Sequence, residues 1–129
     1  MVITAKSNYR ENNMTEEVWK PVFGYEEWYE VSNFGNVRSL DRMVKHYSGF
    51  NRFFIGKLLV PQENHQGYLR VRLCKNGKLI TPSIASLVAM AFIGERPEGQ
   101  VINHKDGIKN NNIPSNLEYI TYGENIKKL

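Results

Sequence analysis

The alternation of apolar and polar positions changes character several times along the chain. Residues 1–14 hold no period and read as a polar, mobile arm. In VWKPVFGYEEWYEVSNFGNVRSL, Tyr29 and Val31 alternate with polar neighbours. Ser32 to Asn36 form a turn cluster, and Val37 to Leu40 resume the strand pattern. This predicts a β-hairpin. Residues 43–57 show no clean period, which predicts a loop or an irregular ribbon.

The stretch GYLRVRLCKNGKLITPS has the clearest period of two. Leu69, Val71 and Leu73 share one face; Tyr68, Arg70, Arg72 and Cys74 share the other. Asn76-Gly77 suits a tight type I′ turn and predicts a second hairpin. TPSIASLVAMAFIG then switches to helical spacing, with Thr81 or Ser83 as cap, Pro82 in the first turn and Gly94 as terminator. Beyond it, Val101 to His104 read as a strand and Asp106-Gly107 as a turn. An Asn-rich loop follows, Leu117 to Ile120 read as a strand, and a helix of about two turns starts at Thr121. The expected class is α+β: a β-rich N-terminal half of hairpins, a short helix, and a strand–loop–strand–helix module. The divisions fall at 1–14 (arm), 15–82 (β-rich segment) and 83–129 (C-terminal module).

A chain of 129 residues supports one compact domain. No apolar run reaches the roughly 18 residues needed to span a bilayer, and the N-terminus has no secretory h-region. Partners in a membrane are therefore not expected. The single cysteine, Cys74, excludes an internal disulfide and a Cys-rich zinc site. It reads as a half-buried strand residue in a reducing, cytoplasmic setting.

Charge is unevenly placed. Residues 1–37 hold three basic and six acidic side chains, residues 38–78 nine and two, and residues 79–129 five of each. The middle third is thus strongly positive and favours a polyanion, whose counterions are released on contact. Arg70 and Arg72, on the face opposite the core, suit phosphates. Tyr47, Phe50, Phe53, Phe54 and Tyr68 lie in the same region. An RNA-binding module would need them exposed for stacking, but most of them read as core.

The segment from Val101 to Asn125 holds one His and six Asn. A calcium loop with Gly107 at its sixth position would begin and end at Ile102 and Ile113, which supply no acid. A structural zinc site lacks ligands, and no nucleophile-elbow serine occurs. A hard divalent cation fits better, because Mg2+ takes few protein oxygens and completes its shell with water and phosphate. Asn103 and Asn125 can offer amide oxygens, and a neutral His104 can take a proton from an attacking water.

These residues resemble the HNH endonuclease family. VINHKDGIKNNNIPSNLEYIT followed by GENI is close to the ββα-metal motif of phage and group I intron-encoded homing enzymes. Trp19-Lys20-Pro21, Gly24-Tyr25-Glu26 and Tyr29 to Leu40 resemble a nuclease-associated modular segment. The resemblance implies a DNA phosphodiester hydrolase using Mg2+ or Mn2+ in a bacterial host cell. His104 would be the general base, Asn103 and Asn125 the metal ligands, and Asn116 the central Asn that holds the loop and orients the His. Asp106 and Gly107 would shape the turn. Arg38, Arg42, Arg70, Arg72, Lys75, Lys105 and Lys109 are the candidate contacts to double-stranded DNA.

Two departures qualify this. The family often places a His where IASLVAMAF has Ala85, which implies reduced activity for the chain as given. The alternative function is accordingly a catalytically impaired DNA-binding protein with a decayed or mutated HNH module. The sequence also stops four residues after Asn125, so long-site recognition is expected from the sheet and arm, from a dimer, or not at all. One active site cuts one strand: a monomer would nick, and a homodimer could break both strands.

Overall fold

The computed structural model describes residues 16–45 and 48–127. The arm expected over residues 1–14, and Tyr47, lie outside the described residues. Eleven short strands, two α-helices and one 3-10 turn (Pro114–Asn116) account for the regular structure among the described residues. No described helix is long and apolar enough to cross a membrane.

The first hairpin forms as its turn chemistry dictates. Strands β1 (Trp19–Pro21), β2 (Tyr29–Ser32) and β3 (Val37–Ser39) make a three-stranded antiparallel sheet in that order. The buried Ser32 hydroxyl accepts from the Phe34 and Asn36 amides, both at 3.1 Å. Asn33, also buried, accepts from Val18 N at 2.7 Å and donates to Glu16 O at 3.0 Å. The turn is therefore held from inside, with each buried polar group paired.

Residues 43–57 are more regular than expected. Strands β4 (Arg42–Lys45) and β5 (Asn51–Phe54) form a two-stranded ribbon. Every β5 residue is exposed, so no buried face imposed a sequence period. The aromatic residues here also differ from expectation. Phe50, Phe53 and Phe54 are exposed rather than core, and Arg42 and Arg52 stack on the Phe54 ring at 5.6 and 5.4 Å.

The segment after Tyr68 keeps its alternation but not one continuous strand. β7 (Leu69–Arg70) pairs with β6 (Gln62–Glu63), and β8 (Leu73–Lys75) pairs with β9 (Lys78–Ile80). Val71 and Leu73 are buried while Arg70 and Arg72 are exposed. Asn76 and Gly77 both have positive φ, 53° and 78°, as a type I′ turn needs. Cys74 is exposed, not half-buried. Its backbone instead serves Tyr29, whose hydroxyl accepts from Cys74 N at 2.8 Å and donates to Cys74 O at 3.1 Å.

Helix α1 (Ile84–Phe92) is capped by Ser83, which accepts from Ser86 N at 3.1 Å. It packs on β2, β7, β10 (Gln100–His104) and β11 (Leu117–Thr121). The core runs from Val31 and Val37 through Val71 and Leu73 to Ile84, Val88 and Leu117. The β-rich segment and the C-terminal module therefore share one apolar core. That common core fixes the module against the upstream sheet. A short helix, α2 (Tyr122–Lys127), follows β11.

Candidate active site

The site is built on the β10–β11 hairpin. Asn103 pairs with Glu118 and His104 with Leu117 in its register. Leu117 is buried in the core, so the end of β10 that carries His104 is anchored from below. His104 is itself 9 % exposed. Its Nε2 lies 2.8 Å from Asn112 Oδ1. The Tyr68 ring sits beside it, with centroids 5.8 Å apart.

The crowd of amides in the loop has a structural cause. Asn116 accepts from Asp106 N at 3.1 Å and donates to Asp106 Oδ1 at 2.9 Å and to Asn111 O at 2.8 Å. Its backbone carbonyl accepts from Lys105 N at 2.8 Å. Asn111 donates to Asp106 Oδ2 at 2.7 Å, and Ile108 N to Asp106 Oδ1 at 2.8 Å. Donation by the Asn111 amide, then by the Ile108 N–H, holds the Asp106 carboxyl below its usual value. A loop of this length has many backbone groups without a ladder; the Asn116 side chain satisfies two of them, while Asn111 bonds the Asp106 carboxylate and Asn112 the His104 ring. Gly107, at φ +77°, makes the reversal.

Asn125 arrives on α2. Thr121 and Glu124 form a reciprocal cap: Thr121 N donates to Glu124 Oε1 at 2.9 Å, and Glu124 N to Thr121 Oγ1 at 3.2 Å. The cap sets the direction in which the helix leaves the strand. Asn103, His104 and Asn125 then line one cleft of about 390 Å3, together with Lys105, Lys109 and Asp106. The Asn103 amide nitrogen donates to Glu118 Oε2 at 2.8 Å. Among the described residues no three His, Cys, Asp or Glu side chains gather as a metal cluster. The Asn103 and Asn125 amide oxygens suit a hard cation that keeps water and phosphate in its shell.

The sequence-derived site residues separate into groups. His104, Asn103 and Asn125 meet in the cleft, with Lys105 and Lys109 at its wall. Lys109 Nζ donates to Gln66 O at 2.7 Å and stands 5.1 Å from the Tyr68 ring centre. Ala85, 6 % exposed, lines an adjoining cavity of about 240 Å3 whose wall includes His104 and Asn112. Asn116 stays in the loop, bonded to Asp106, Asn111 and Lys105 rather than to the imidazole.

Among the other cations, Arg70 and Arg72 are exposed. Arg38 is committed elsewhere: it donates to Glu30 Oε1 through Nε at 3.0 Å and Nη2 at 2.7 Å and stacks 3.9 Å above Trp19. Arg42 lies 4.1 Å over Trp28. Lys75 donates to Gly24 O at 2.8 Å. Sequence reasoning missed Asn112 and Glu118. Glu118 was recoverable from the strand register opposite Asn103; Asn112 was hidden within three consecutive Asn.

Comparison with known proteins gives two family matches: a NUMOD4 motif over residues 17–74 and an HNH endonuclease over residues 86–126. The chain is 38 % identical over 109 residues to DNA endonuclease I-HmuI of Bacillus phage SP01, covering 84 % of this chain and 55 % of that protein. It is 34 % identical over 116 residues to the uncharacterized HNH endonuclease L247 of Acanthamoeba polyphaga mimivirus, covering 86 % of this chain and 25 % of that protein. The chain thus spans about half of the phage relative and a quarter of the viral one. A solved structure described as DNA binding and cleavage by the HNH homing endonuclease I-HmuI superposes with a TM-score of 0.70 at 39 % identity, over 86 % of this chain and 56 % of that chain.

Proposed function

The chain belongs to the HNH endonuclease family, with a NUMOD4 motif ahead of the HNH module, and from that premise we propose that it is a homing-type DNA endonuclease requiring Mg2+ or Mn2+. The observation that carries the reading is the single cleft shared by His104, Asn103 and Asn125. Double-stranded DNA is the proposed partner. I-HmuI, described as binding and cleaving DNA, supports this by likeness.

The chemistry follows from the groups in the cleft. His104 takes a proton from a water as the water oxygen bonds to phosphorus, and the P–O bond to the leaving sugar oxygen breaks. Asn103 and Asn125 would hold the divalent ion, which when bound supplies charge for the phosphate and the departing oxygen. Lys105 and Lys109 line the same cleft and neutralise the DNA backbone there. Asn116 keeps the loop closed, and through the loop it keeps the end of β10 in place. The exposed Arg70 and Arg72 hold DNA outside the cleft. One such cleft cuts one strand, so a single copy nicks.

The test is a supercoiled plasmid incubated with the protein and Mg2+ or Mn2+. Open circles that appear with metal and vanish with chelator are expected. DNA binding without any cutting would favour the second reading, a DNA-binding protein with an impaired module. Ala85 favours that reading, because the cavity beside His104 lacks any side chain beyond a methyl from α1.

A further inference from the structure

Resting on the reading of His104 as the proton acceptor, we propose that Asn112 is a positioning residue that fixes the tautomer of His104 and aims its lone pair at the cleft. The Asn112 side chain is 5 % exposed and its oxygen stands 2.8 Å from His104 Nε2. An amide oxygen only accepts, so the ring nitrogen facing it carries the proton. In a neutral imidazole the other nitrogen, Nδ1, then holds the lone pair. Without a fixed partner, the ring would divide between two tautomers and two orientations. Only one of these offers Nδ1 to a water in the cleft.

Asn112 is itself held from the far side. A β-carbon on Gly35 would come within 3.3 Å of Asn112 Cβ and 3.8 Å of Ile84 Cγ2. Gly35 sits at φ +86° in the turn that Ser32 and Asn33 organise. The upstream hairpin therefore backs the residue that backs the catalytic ring. From the loop side, Asn116 holds the carbonyl of the neighbouring Asn111 at 2.8 Å. Asn112 is wedged between the two, while Asn116 does not reach the imidazole itself. This gives the NUMOD4 segment a part in shaping the HNH site.

The experiment is 15N NMR of the imidazole nitrogens at a pH where the ring is neutral. The unsubstituted protein is compared with Asn112→Asp, which keeps an accepting oxygen, and Asn112→Leu, which does not. The expected result is an Nε2–H ring in the first two and a mixed signal in Asn112→Leu. An Nδ1–H ring in the unsubstituted protein overturns the proposal, and that measurement needs no variant to fold. An Nε2–H ring that persists unmixed in Asn112→Leu overturns it as well. In plasmid nicking, Asn112→Leu should lose about 10- to 100-fold in kcat with little change in KM, the range usual for a residue that orients a reacting side chain, and Asn112→Asp should restore most of it. A loss confined to KM would contradict a positioning role. The ring signal is read without DNA, so failure of the nuclease reading leaves the tautomer result standing and separately visible.

Discussion

Asn103 and Glu118 face each other across β10 and β11, and the Asn103 amide donates to the Glu118 carboxylate at 2.8 Å. The bond turns the Asn103 nitrogen toward Glu118 and its oxygen away from it. It also puts a formal negative charge behind the proposed neutral ligand, where ligand-orienting partners tune metal binding. Glu118→Ala should therefore raise the Mg2+ concentration for half-maximal nicking by about 10-fold. Glu118→Gln, which can still accept from Asn103, should raise it less. A metal titration unmoved by Glu118→Ala would remove this residue from the account.

The same neutrality predicts how the metal binds. With only amide oxygens from Asn103 and Asn125, affinity should be weak until DNA adds its phosphate. Calorimetry with Mg2+ or Mn2+ on the free protein should give no saturable heat. A saturable curve without DNA would contradict the proposed ligand set.

DNA contact and structural arginines should separate in one titration. Arg70 and Arg72 are exposed, whereas Arg38 is bound to Glu30 and stacked on Trp19. Replacing both Arg70 and Arg72 with Ala should weaken DNA binding and reduce the log–log salt slope by about two, near one unit per lost phosphate contact. Arg38→Ala should lower thermal stability and leave the slope nearly unchanged. The reverse assignment in a gel-shift series would show that the sheet meets DNA through another face.

The loop should also carry a pH signature. The Asp106 carboxyl is held below its usual value by Asn111 and then Ile108. A group depressed in the folded state adds stability above its unfolded pKa, and that stability is lost as pH falls through its folded pKa. Acidification below about pH 4 should thus loosen the loop between β10 and β11, and Asp106→Asn should flatten that dependence. Amide exchange at Ile108, whose N–H donates to Asp106, is the local readout. An Ile108 protection factor with the same pH dependence in both proteins would refute the role.

The parts of this molecule that could be read from sequence are those with a buried face or a demanding turn. The Tyr29–Ser39 hairpin, the Ser83-capped helix and the β10–β11 pair all place apolar residues in one core at regular intervals. The β4–β5 ribbon has no such face, so its strands left no period. The Arg38–Glu30 pair was not legible, because Glu30 becomes adjacent to Arg38 only through the β2–β3 register. Asn116 was legible by position, but the direct partner of His104 is Asn112, which nothing local distinguishes from Asn110 or Asn111. The boundary expected between residues 82 and 83 separates two stretches of chain whose side chains pack into one core.

His104 is the proposed proton acceptor for DNA cleavage, and Ala85 borders the cavity next to it. The most direct measurement is nicking of supercoiled plasmid by the chain with Ala85→His, in Mg2+, with His104→Ala added in the same background. Open circles that His104→Ala suppresses by about 100-fold or more are the predicted result. Nicking that persists unchanged without the His104 imidazole would contradict the account.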